Sequence, residues 1–176
     1  MTAFGAVLRT GTLLVAVALL APLATLANTA SPLLPLSAFP RERIAVETRS
    51  ARRHVFEAWR ADTPDTRAQG LMFVKSLRPE QAMIFIYEPA QRVGMWMKNT
   101  LIPLDMLFVD DGGCVVKVHE RARPGDLRTI EAGVPVVLVV ELAGGTAATL
   151  GLAKGDRVVR PGSGWPGDPR PCTPPR

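Results

Sequence analysis

A mainly β fold, a compact β-sandwich or partly open barrel of short strands with two short helices, is predicted by three observations. Short apolar runs recur along the chain, several with the period-two alternation of a strand that has two distinct faces. Turn chemistry separates them: Ser50-Ala51, Asn99-Thr100, Asp110-Asp111-Gly112-Gly113, Pro124-Gly125 and Gly155-Asp156. Only two stretches carry helix-start residues, and a Gly follows each within a few positions. At 176 residues the chain suits one domain with a core of its own.

The N-terminus reads as a signal peptide, residues 1–27. Arg9 is the only charge before Arg41, and residues 13–26 are an apolar run of 14. That length fits a signal h-region and falls short of the roughly 20 residues that span a bilayer. Thr25-Leu26-Ala27 presents small residues where a signal peptidase inspects the chain, so cleavage is expected after Ala27 and the mature protein in the periplasm or outside the cell. An uncleaved anchor is the alternative. Losing Arg9 leaves 20 basic against 16 acidic residues, a mature charge of +4.

Residues 28–43 read as a linker. Arg41, Arg43, Arg49, Arg52 and Arg53 then crowd a predicted hairpin of strands 44–48 and 55–60. A weak contact with anionic lipid is one use for such a patch; a solvated hairpin edge, kept by charge from pairing with other chains, is the other. Asp62-Thr63-Pro64-Asp65 opens a helix, with a cap, a first-turn Pro and an acid at the positive end of the dipole, and Gly70 limits it. Residues 83–87 form a buried strand that Glu88-Pro89-Ala90 leaves.

Residues 93–98 alternate as a strand, Asn99-Thr100 turns, Pro103 fixes φ, and residues 104–109 form the next strand. Residues 114–119 return from the Gly-Gly hairpin, with Val116 and Val118 expected on one face and Lys117 and His119 on the other. Residues 136–142 are apolar except Glu141, as in a strand covered on both faces. A short helix at 147–150 and a last strand at 157–159 close the β-rich domain, 44–159. The tail, 160–176, holds six Pro and is expected to be disordered.

The run Thr63-Pro64-x-x-Arg67-x-x-Gly70-Leu71-Met72 and the corner Met95-Trp-Met-Lys-Asn-Thr-Leu-Ile-Pro-Leu-Asp105 resemble the domain-of-unknown-function 192 family of small, mostly exported proteins. The resemblance covers about residues 46–159, is strongest at 96–105 and implies a mainly-β sandwich. The family has no settled activity, so the resemblance marks the corner as the place to look and assigns it no chemistry.

Several chemistries find no footing. There is no Gly-rich phosphate loop and no nucleophile elbow. His54 and His119 are the only histidines, so no His-rich zinc site is available within one chain, and no metal or cofactor is expected. The basic residues are interleaved with acids, which argues against nucleic acid. The binding candidates are Trp96, Lys98, Asn99, Thr100, Asp105 and Arg67, with Glu141 and His119 as possible neighbours. An aromatic face beside an amide, a cation and a carboxylate suits a small polar ligand, such as a saccharide or an envelope component. The alternatives are structural: Asp105 with Lys98, Asn99 with the turn backbone, Arg67 with a nearby carboxylate or carbonyl. Paired carboxylates, Asp105 and Glu141, would support a hydrolase if they converge. Met72, Met83, Met95, Met97 and Met106 could offer thioethers to Cu(I), or fill gaps in a core. Cys114 and Cys172 are either one disulfide or two unpaired residues.

Overall fold

A computed structural model describes residues 33–162 and 171–172. The signal-peptide reading and most of the Pro-rich tail therefore lie outside the described residues. Strands β1 (Arg41–Glu47) and β2 (Arg53–Ala61) form the antiparallel hairpin expected from the sequence. The domain starts earlier than predicted. Phe39, placed in a linker by sequence, is buried after a single 3-10 turn, and Leu34 exchanges backbone hydrogen bonds of 2.7 Å with the Gln69 amide.

Residues 62–80 carry the chain from β2 to β3 (Gln81–Gln91), which pairs with β2 in parallel. Within this crossover, Thr63 caps helix α1 (Pro64–Gln69) through reciprocal bonds with Thr66. Gly70 ends the helix at φ +50°, and a Cβ there would lie 3.0 Å from the Phe85 ring. Only Gly allows both the turn and that approach. Strand β3 does not stop at Glu88-Pro89 as predicted. It runs on to Gln91 because its ladder to β8 (Val136–Ala143) lapses between Ile86 and Gln91, where Pro89 has no pairing to break.

The corner forms a short strand, β4 (Gly94–Met95), shorter than the alternation suggested, and pairs with β7 (Ile130–Glu131). Asn99 turns the chain at φ +56°. Strands β5 (Leu104–Val109), β6 (Val115–Ala122) and β8 (Val136–Ala143), helix α2 (Thr146–Leu150) and β9 (Arg157–Val159) complete the chain. Seven strands make one sheet in the order β6-β5-β8-β3-β2-β1-β9. The sheet curls into a half-barrel whose end strands meet along a short seam: Cys114 bridges Arg157, and Val115 exchanges 2.8 Å backbone bonds with Gly155 and Asp156. Of the two predicted architectures, the partly open barrel is the one formed. β1 is not a free edge, since Ala45–Glu47 pair with β9.

Two cores follow from the period of two. Ile44, Phe56, Ile84, Leu107, Val140 and Val158 fill the concave interior, with Ala147 and Leu152 closing one end. Trp59, Met83, Phe85, Met106, Phe108 and Val139 point outward and are covered by the crossover and the β4–β7 ribbon. β8 is therefore apolar on both faces, as its sequence predicted. Val116 breaks the expected alternation: a bulge between Phe108 and Val109 inserts it, so it packs outward while Val118 packs inward.

The hairpin arginines are engaged within the chain. Arg43 pairs with Glu57 at 2.7 Å, Arg53 with Glu47, and Arg41 lies over Trp59. Arg49 donates its backbone N–H to Asp156, and Arg52 reaches Ser50. Among the described residues no helix is long and apolar enough to cross a membrane. Cys114 and Cys172 form a disulfide, which fixes part of the tail predicted to be disordered.

Candidate functional site

Glu141 is the charge that an apolar central strand should not tolerate. On β8 it stands opposite Met83 of β3 and Met106 of β5, facing the outer core, and is 3% exposed. Its carboxyl makes no hydrogen bond or ion pair among the described residues. Burial pushes it up to about 8, so it is mostly protonated at neutral pH. It borders a cavity of about 60 Å³ between the sheet and its cover.

The crossover and the corner supply the other walls. Arg67, in the last turn of α1, donates to the carbonyls of Asp62 (2.6 Å) and Ile86 (3.0 Å) and lies over the Tyr87 ring. The carbonyl pairing anticipated for Arg67 is thus formed, and its position on the cavity wall is kept. Tyr87 donates to the Met95 sulfur at 3.6 Å, and burial raises its hydroxyl to about 12, with Arg67 opposing. Trp96 stands half exposed at the rim with the Lys98 ammonium 5.5 Å from its ring centre, and Thr100 is buried beside it.

Of the candidates read from sequence, Trp96, Lys98, Thr100, Arg67 and Glu141 share this cavity. Asn99 does not line it; its backbone carbonyl accepts from Phe73 at 2.8 Å and its amide reaches the Met72 sulfur. His119 does not line it either. Asp105 is on the other side of the sheet. Its register partner on β8 is Leu142, an inward residue, whereas Glu141 faces out. The Asp105 carboxylate accepts three backbone N–H groups, from Arg121 (2.8 Å), Gly145 (2.9 Å) and Ala147 (2.7 Å). A paired-carboxylate hydrolase needs both acids in one cleft, and one sheet separates these two. Asp105 is not paired with Lys98 but holds the start of α2 to the barrel.

The methionines pack. Met83, Met95, Met97 and Met106 belong to the outer core, and the sulfurs of Met95 and Met72 take the weak bonds already described. Tyr87 is the wall residue that sequence reading missed; its spacing from Met83 and Phe85 was the signal that it shares their face.

Fold and cavity together define a small, capped half-barrel with a buried acid under an aromatic rim. The chain belongs to the domain-of-unknown-function 192 family, described as "Uncharacterized ACR", whose model matches residues 45–160. Two solved structures are similar. One, from Sinorhizobium meliloti 1021, is described provisionally as a transcription regulator; it is 38% identical, with a TM-score of 0.69, over 71% of this chain and 97% of that one. The other, from Novosphingobium aromaticivorans DSM 12444, is a protein of unknown function, 37% identical, TM-score 0.68, over 75% of this chain and 94% of that one. No curated protein matches the chain.

Proposed function

We propose that the protein is an exported binding module that takes a small polar ligand, a saccharide or another envelope component, at the Trp96 corner. The observation that carries the reading is the Glu141 carboxyl, buried against a cavity with no hydrogen-bond or ion-pair partner among the described residues. Buried polar groups are almost always hydrogen-bonded, and an exception marks a place where something else supplies the bond. A ligand hydroxyl in the cavity would reach Glu141, and the ring that bears it would rest on Trp96, with Lys98 and Arg67 at its edges. The apolar run at 13–26 and the disulfide support export, because disulfides persist in oxidising compartments.

The test is a titration with a panel of neutral and amino sugars, followed by Trp fluorescence in the native protein and in Trp96→Phe. A saturable change in the native protein that disappears in the variant is expected. The same change in both, or none in either, would reject the reading. N-terminal sequencing of the exported form should begin near Asn28; a sequence starting at Met1 or Thr2 rejects cleavage.

A further inference from the structure

We infer a second site, unconnected with the first, at the end of the barrel that α2 borders: a pocket for a small organic acid, one anionic group on an apolar body. A cavity of about 580 Å³ opens there, within the range that small-molecule ligands occupy, and barrel mouths are a common place for them. Its wall is apolar where Val55, Phe56, Pro79, Ala143 and Leu150 contribute.

Its charge is positive by elimination. Arg53 and Glu80 also line it, but Arg53 is paired with Glu47 and Glu80 with Arg78. The Arg121 guanidinium makes no ion pair or hydrogen bond among the described residues. It is nevertheless held in place. The Arg121 backbone sits at φ +50° in a β-bulge, with its N–H on Asp105, and the guanidinium rests against Gly145, where a Cβ would come within 2.6 Å of Nη2. The same Asp105 carboxylate binds the first turn of α2, so one buried acid anchors both the Arg121 backbone and the wall that its guanidinium touches.

His54 follows the inward register of Phe56 and Ala58 on β2 and adds its ring to the cavity wall; its Nε2 is turned away from solvent and has no hydrogen-bond partner among the described residues. An acid seated in the mouth would meet Arg121 with its anionic group and Phe56, Val55 and Leu150 with its body, while the Thr146 hydroxyl remains to complete its polar contacts.

Octanoate and octylammonium are the probes, titrated calorimetrically into the full chain with its disulfide intact. Octanoate is expected to bind and octylammonium not. Arg121→Gln, which removes the charge, and Thr149→Trp, which fills the mouth, should each weaken octanoate at least about tenfold. Equal binding of the two probes, unchanged octanoate binding in Arg121→Gln, or no octanoate binding at all overturns the inference. The comparison of probes on the unaltered protein stands even if a variant fails to fold.

Discussion

Replacing Glu141 by Gln removes a proton equilibrium while keeping the shape of the side chain. In the folded protein burial alone lifts this carboxyl from 4.5 to about 8. The folded state therefore keeps a proton that the unfolded chain gives up above about pH 4.5, and stability falls as pH rises between those values. The interval spans about 3.5 pH units, each worth about 1.36 kcal/mol. The native protein then carries a penalty near zero at pH 4.5, about 3 kcal/mol at pH 7 and roughly 5 kcal/mol above pH 8. Glu141→Gln escapes it. Urea unfolding followed by circular dichroism, at pH values from about 4 to 9, should show the variant drawing ahead of the native protein as pH rises. A difference that stays constant across the series would refute the reasoning, because it would mean that Glu141 titrates alike in both states. A ligand that hydrogen-bonds the neutral acid should bind more weakly above pH 8, in the same window.

Asp105→Asn places an amide against backbone donors that a carboxylate now accepts, and should cost roughly 3–5 kcal/mol in urea unfolding. Because Trp96 is 50% exposed, Trp96→Ala should cost only about 1 kcal/mol rather than the 3–5 kcal/mol of a buried ring, and a large loss of melting temperature would contradict its place at the rim. Asn99→Gly should be near neutral and Asn99→Ala about 1 kcal/mol worse, since the position demands positive φ. Reducing the disulfide, whose cysteines are 58 positions apart, should lower stability by about 4 kcal/mol in the chain-entropy model. The unfolded, unreduced protein should show no free thiol on titration.

The sequence disclosed the strands whose two faces differ, because burial imposes a period that can be read without knowing the partner strand. It disclosed the helix at Thr63 and the turn at Asn99, because capping and positive φ are local demands. Glu141 stood out as one charge in an apolar run. The sides of the sheet were harder to read. Asp105 and Glu141 were grouped as neighbours, and they are near in the ladder, but a shift of one register position puts them on opposite faces. The bulges at Val116 and Arg121 were invisible because an extra residue is defined only against the strand beside it. Arg121 and His54 gave no signal, since the barrel mouth draws them from β6 and β2 and joins them only after the sheet has curled.

The seam between β6 and β9 dictates when the molecule can become whole. β1 pairs with β9, and the Cys114 segment bridges to Arg157, so both ends of the curled sheet wait for the last strand to be made. Such long-range pairings form late and slowly. Until Arg157 to Val159 is available, β1 and β6 present unpaired edges, the kind of surface that recruits other chains. A chain stopped short of Arg157 should therefore aggregate rather than settle as a smaller version of the same fold. The disulfide can form only when Cys172 arrives, after every strand it secures has already been synthesised. It is a latch, fastened once the door has shut.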